Sequence, residues 1–280
     1  MTQPASTASP ADDYDVYRRR RHEMVTLPQG NLALVLTQWF GGKPQVFESV
    51  WGIPGEWAAA RHSDRGLMVR ASAAEGIFVD DIAVDGVVTI FSKGSESPSR
   101  LTFADGKSGF VIENESGQCG LRIWDPSSED LANFGKIDSY DYDPDWVISA
   151  RFEPIPGGRA VGIDHLKDEG VTRDKIIPAD ISFTVRGIEY TVAAFQEGRA
   201  LLLVFSDATS GSETYSVGRF LLCAPNADGS ITLDFNRAYL PPCAFSYHFN
   251  CPMPPQQNRF PFAITAGEKQ VLNRSGQLLH

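Results

Sequence analysis

Leu201-Leu-Leu-Val-Phe205, Arg219-Phe-Leu-Leu-Cys223 and Ile231-Thr-Leu-Asp-Phe-Asn236 are three short apolar or alternating runs, and the last two flank Asn226-Ala227-Asp228-Gly229. Five apolar residues in succession, Leu201 to Phe205, suit a strand buried on both faces. The Asn-Ala-Asp-Gly run is a strong hairpin signal. Side chains alternate along a strand, so Ile231, Leu233 and Phe235 point one way and Thr232, Asp234 and Asn236 the other. If the hairpin closes at Asp228-Gly229 or over the four residues Asn226–Gly229, Arg219 is expected to share a face with Asp234 and Asn236.

The same texture extends outward. Leu32–Phe40, Leu67–Ala71, Ile77–Val79, Val87–Phe91, Arg100–Phe103, Gly109–Glu113 and Cys119–Trp124 are short runs rich in β-branched and aromatic residues. Gly41-Gly42, Asp85-Gly86, Asp105-Gly106 and Ser116-Gly117 punctuate them. Beyond an acidic segment, Pro126–Asp143, strand signals resume at Trp146–Phe152, Ala160–Ile163, Ile181–Val185 and Tyr190–Phe195, with Arg186-Gly187 marking a tight hairpin. Short strands at this spacing predict a mostly β chain of antiparallel sandwich or barrel-like sheets.

One helix is expected, Asp12–Val25, with acidic residues at its start, four arginines later and Pro28 just beyond. That order of charge suits the helix dipole. Tyr14, Tyr17 and Met24 supply its packing stripe, and Arg18–Arg21 reads as a solvated face, with an anion or partner contact as the alternative. Met1–Ala11 reads as a mobile tail. The organisation that follows is a tail and helix over 1–28, a β-rich region over 29–140 and a second β-rich region over 141–280.

The chain has 280 residues, with 35 acidic against 25 basic and a net charge of −10. A broad electrostatic footprint for nucleic acid is not expected from that balance. No apolar run reaches the roughly 20 residues that span a bilayer, so no membrane partner is expected. The first residues lack the basic start and apolar stretch of a secretory signal, and the expected location is the cytoplasm. Cys119, Cys223, Cys243 and Cys251 fall at no metal-finger spacing and are expected as free thiols, with a local Cys243–Cys251 disulfide left open.

Phe205–Glu268 is long, polar, proline-rich and aromatic, and predicts an ordered loop folded over a polar site. Asp207 and Thr209 follow directly on the buried run, at the end of a central strand. The leading expectation is a small-molecule enzyme of acid/base type, a hydrolase, isomerase or cyclase. Asp207, Asp234 and Tyr239 are its candidate catalytic residues, while Thr209, Tyr215, Arg219, Asn236, His248 and Asn258 are candidates for holding a small polar or anionic substrate. Leu240–Arg259 would form the lid. Cys243, His248 and Cys251, with Asp234, are a set that zinc would accept, but their spacing matches no standard motif, and no metal or cofactor is expected. The alternatives are a non-catalytic binding module and a cluster that only satisfies the backbone of a long loop.

Those residues carry a family resemblance. From about Gly120 to Lys269 the chain resembles the prokaryotic family catalogued as domain of unknown function 1684. The resemblance is strongest in Phe205-Ser-Asp-Ala-Thr-Ser-Gly-Ser-Glu-Thr-Tyr-Ser-Val-Gly-Arg219, in Leu233-Asp-Phe-Asn-Arg-Ala-Tyr239, and in Pro241-Pro-Cys243, Cys251-Pro252, Asn258 and Ala266-Gly-Glu268. It departs from the family pattern at Leu240, Gln257 and His248. The resemblance implies a β-rich fold and a motif, and no activity.

Overall fold

The computed structural model describes residues 9–41, 43–61, 65–168 and 171–280. Most of the expected N-terminal tail, and Gly42 of one expected turn, lie outside them. The fold is mostly β, with several antiparallel sheets and two α-helices among the described residues. The chain divides into two compact units, Met24–Ala132 and the residues up to Glu23 together with Asn133–His280. The helix therefore belongs with the C-terminal half of the chain.

Helix α1 spans Pro10–Val25. Ser9 and Asp12 cap it reciprocally. The Ser9 hydroxyl accepts from the Asp12 N–H at 3.2 Å, and the Asp12 carboxylate accepts from the Ser9 N–H at 3.0 Å, which satisfies donors that a helix start otherwise leaves open. Tyr14 is buried, but Met24 is 58% exposed, so it does not belong to the packing stripe. The inward position is taken instead by Arg21, one helical repeat from Tyr14 and Tyr17.

Among the described residues of the first unit, ten strands follow in chain order: β1 (Leu34–Trp39), β2 (Glu48–Ser49), β3 (Glu56–Ala59), β4 (Gly66–Ala71), β5 (Ile77–Val79), β6 (Ile82–Ala83), β7 (Gly86–Phe91), β8 (Leu101–Phe103), β9 (Ser108–Glu113) and β10 (Cys119–Trp124). They form two sheets, β1-β10-β9-β8-β5-β6 and β2-β3-β4-β7. Trp57, Leu67, Val69 and Ile90 of the second sheet share one buried cluster with Ile77, Leu101, Val111 and Leu121 of the first. This is a sandwich, and Trp57 at its centre keeps its indole N–H satisfied by the Pro54 carbonyl at 3.0 Å.

A short helix α2 (Glu129–Asn133) precedes the strands of the second unit. These are β11 (Phe134–Ser139), β12 (Val147–Asp164), β13 (Thr172–Val185), β14 (Ile188–Val192), β15 (Ala194–Glu197), β16 (Ala200–Phe205), β17 (Arg219–Cys223), β18 (Ser230–Asp234) and β19 (Glu268–Asn273). The sheets are β14-β13-β12-β18, β15-β16-β17 and β11-β19. Phe183, Phe205, Phe235 and Phe260 fill the space between the first two, with Leu203, Leu221, Ile231 and Leu233. Phe205 meets Phe235 edge-on at 5.3 Å, the arrangement aromatic quadrupoles favour.

The Arg186-Gly187 hairpin forms, pairing Val185 with Ile188, and both turn residues have positive φ, 52° and 78°, as a two-residue turn of this hand requires. The Asn226–Gly229 turn forms as well, with the Asn226 N–H donating to the Ser230 carbonyl at 2.8 Å. Its flanking strands, however, part into different sheets: β17 pairs with β16, and β18 with β12. The inference that Arg219 shares a face with Asp234 and Asn236 fails with that pairing. Tyr190–Phe195 is likewise not one strand but two, broken at Ala193.

Candidate functional site

Gly218 turns the chain into β17 at φ 104°, and a Cβ there would lie 2.3 Å from the Phe205 carbonyl oxygen. Only glycine fits so close to the backbone. Arg219, paired in register with Phe205, is then driven inward and is wholly buried. Its Nη2 meets Asp207 Oδ2 at 2.6 Å, with neither side chain exposed at all. The same nitrogen donates to the Ile264 carbonyl at 2.9 Å, and Nη1 donates to the carbonyls of Ala266 and Glu268. Nε has no acceptor, and the guanidinium lies 5.3 Å from the centre of the Phe205 ring. The other Asp207 oxygen accepts from the Thr209 N–H at 2.7 Å and from the Thr209 hydroxyl, which also meets the Thr214 hydroxyl at 2.9 Å. Asp207, Thr209 and Arg219 are thus brought together, but as a sealed knot binding the loop after β16 to the backbone before β19. Burying the charges is tolerable because almost every polar atom has a partner.

The two asparagines act as substitutes for backbone. Asn258, fully buried, accepts from the Ala193 N–H at 2.9 Å and donates to the Ala193 and Val204 carbonyls, both at 2.8 Å. It completes the hydrogen bonding of the residue where the chain leaves β14 for β15. Asn236 does the same for Asp143, accepting from its N–H at 2.8 Å and donating to its carbonyl at 2.9 Å. Asp234 caps the turn that contains Asn236 and pairs with Arg237 at 3.2 Å; its partners are not those of Arg219. Tyr215 donates to the Cys243 carbonyl at 3.2 Å. The His248 N–H donates to the Ser246 hydroxyl at 3.2 Å, and among the described residues no three His, Cys, Asp or Glu side chains gather as a metal site.

Tyr239 belongs to another group, which sequence reasoning missed. Arg21 of α1 meets Glu268 at 2.7 Å and lies over the Tyr239 ring at 4.8 Å. The second Glu268 oxygen accepts from the Leu240 N–H at 2.7 Å. Burial would lower the Arg21 pKa, but the Glu268 charge and hydrogen bonds outweigh it and leave it raised. Burial pushes the Tyr239 hydroxyl up to about 12. Glu268 follows Gly267, at φ 79°, where a Cβ would stand 2.5 Å from the Ala238 carbonyl oxygen. The signal for Arg21 was its place on the Tyr14–Tyr17 stripe. Glu268 was visible in the motif but had no apparent partner nearby in sequence.

Beside this pair lies a hollow of about 530 Å³. Arg18, Arg19 and His22 of α1, Lys136 and Ser139 of β11 and Glu268 line it, with Asp15 and Glu23 at the helix side. Arg18 lies over the Tyr14 ring at 5.7 Å, and neither Arg18 nor Arg19 is ion-paired among the described residues. Glu268 contributes little free charge because Arg21 neutralises it. Asp207, Asp234 and Tyr239 do not line this hollow.

The geometry defines a mostly antiparallel β protein whose C-terminal unit is tied by buried polar side chains and carries a polar hollow against its one long helix. The chain belongs to the family described as protein of unknown function (DUF1684), whose model matches residues 132–269. Among solved structures, it is similar to an uncharacterized protein from Haloarcula marismortui determined by solution NMR. The two are 35% identical over 49% of this chain and 77% of that one, with a TM-score of 0.40. No curated protein matches the sequence.

Proposed function

We propose that this protein is a binding module for a small acidic ligand, seated in the hollow between α1 and β11. The observation that carries the reading is that Arg18 and Arg19 line a hollow of about 530 Å³ and that, among the described residues, neither has an ion-pair partner. Planar guanidinium forks match carboxylate and phosphate oxygens two at a time. The Ser139 hydroxyl and Lys136 on the facing strand add further donors. The volume suits a small metabolite. Asp15 and Glu23 at the rim disfavour extended polyanions, in keeping with the net charge of −10. Acid/base catalysis by Asp207, Asp234 and Tyr239 has less support, since Asp207 is sealed against Arg219 and the three do not meet at the hollow. A cytoplasmic location is part of the same reading, supported by the four buried free thiols.

Thermal-shift and calorimetric titrations with inorganic phosphate and with succinate test it. The expected result is saturable binding of at least one probe with a rise in Tm, lost in the Arg18→Ala/Arg19→Ala double variant while the unliganded Tm is retained. Binding that is unchanged in the double variant, or no saturable binding of either probe, would overturn the proposal.

A further inference from the structure

Cys243 and Cys251 are buried, at 2% and 3% exposure, and both are in the thiol form. The Cys243 N–H donates to the Cys251 sulfur at 3.2 Å, which brings that sulfur to within one side chain's length of the other. Cys251 is also the leading influence on the Cys243 thiol, lowering its pKa against the opposing effect of burial, with Tyr215 assisting. Cys223 stands in contrast, its thiol donating to the Leu201 carbonyl at 3.7 Å and pushed up to about 12 by burial. A thiolate is the nucleophilic form of cysteine.

The segment joining the pair is held from outside. The tip of the β12–β13 hairpin clasps it through the Leu166 N–H on the Cys251 carbonyl at 2.9 Å and the Met253 N–H on the Asp164 carbonyl at 2.7 Å. Asn250 is gripped by the Lys167 N–H and by Asp168, at 2.9 and 2.8 Å. Tyr247, 64% exposed, carries the middle of the segment at the surface. The sulfurs are buried while the middle of the segment is exposed and its end at Cys251 is held, so local opening of the segment is the access that oxidation requires.

We propose that Cys243 and Cys251 are a reversible dithiol–disulfide pair, so that a peroxide or a low-molecular-weight disulfide converts the segment between them from a hydrogen-bonded loop to a covalently closed one. With a hydroperoxide, the Cys243 thiolate attacks the distal oxygen; the O–O bond breaks, an alcohol or water leaves, and a sulfenic acid forms. The Cys251 thiol then attacks the Cys243 sulfur, forming S–S and releasing water, so that two thiols are oxidised and one peroxide is reduced. A dithiol reductant reverses the step by exchange.

The sequence offers a clean readout, because trypsin releases Ala238–Arg259, which contains both cysteines and neither of the others. Native protein is treated with hydrogen peroxide, denatured in N-ethylmaleimide and digested. The expected result is an unalkylated Ala238–Arg259 peptide about 2 Da lighter than its dithiol form, returned to the doubly alkylated form by prior dithiothreitol. In Cys251→Ser, dimedone is expected to trap a sulfenic acid at Cys243. The proposal is overturned if the peptide remains doubly alkylated, if it passes to sulfinic acid without a cross-link, or if the cross-link forms only after unfolding. Far-UV circular dichroism of each variant before oxidation shows whether it is folded.

Discussion

Arg219 and Asp207 meet at 2.6 Å with no part of either side chain exposed to water. Each charge is tolerated in the interior only because the other is there. Arg219→Met leaves the Asp207 carboxylate buried and uncompensated, and is expected to cost about 3–5 kcal/mol in denaturant unfolding. The double variant Arg219→Met/Asp207→Leu is expected to recover part of that loss, since an apolar pair of similar volume removes the desolvation penalty along with the attraction. A double variant that loses as much as Arg219→Met and Asp207→Leu do together would show that the two charges are not coupled.

Glu268 joins α1 to the segment after β18 through Arg21 and the Leu240 N–H. Glu268→Gln keeps the shape but removes the charge that Arg21 faces, with an expected loss of about 2–3 kcal/mol. The helix should loosen first, read as faster hydrogen exchange of its amides relative to those of β16. Unchanged protection of α1 would place the stability of the helix elsewhere.

Asn258 serves Ala193 and Val204 with one acceptor and two donated bonds. Asn258→Ala strands buried backbone groups and is expected to cost about 2–4 kcal/mol in chemical unfolding. Asn258→Asp should be no milder, because a carboxylate cannot donate to the two carbonyls. A well-tolerated aspartate would mean that water takes over the donor role.

Alkali should also unfold this protein early. Burial first, with neighbouring charges modifying it, holds the Tyr14, Tyr140 and Tyr239 hydroxyls up to about 12, against an ordinary value of 10.0. A raised phenol pKa means that the unfolded chain releases its protons first. The associated stability is therefore fully present below pH 10 and is lost as pH rises through about 12. Midpoints of urea unfolding should hold below pH 10.0 and fall steeply from there to about 12, and Tyr239→Phe should flatten that slope. An identical slope in the variant would exclude Tyr239 as a source.

Much of the fold was legible because strands of three to six residues carry their signal locally. Ile77–Val79, Cys119–Trp124 and Arg219–Cys223 begin and end where the sequence predicts. Glu56–Ala59 and Glu268–Asn273 went unread, since Glu-Trp-Ala-Ala and Glu-Lys-Gln-Val-Leu-Asn have little β-branched content and owe their pairing to neighbours distant in sequence. The candidate site failed at a different level. The turn at Asn226–Gly229 was correctly read, but nothing local says that the strands leaving it enter different sheets. Asp207, Thr209 and Arg219 do gather, as a shared polar site requires, yet their places in the sequence cannot separate a pocket from a sealed knot. That distinction depends on the carbonyls of Ile264, Ala266 and Glu268, whose approach to Arg219 only the tertiary fold supplies.

The clasp of the β12–β13 tip on the Cys251 segment carries a consequence for how the molecule comes into being. Lys167 waits 83 positions along the chain for Asn250, so closing this contact spans most of the C-terminal unit and belongs among its late, slow events. On a ribosome the long hairpin emerges first and projects with nothing to grip. Until synthesis passes Met253, Asp164 and Leu166 lack the backbone partners that this segment later supplies, and association with other chains at that stage is where misassembly is expected to begin.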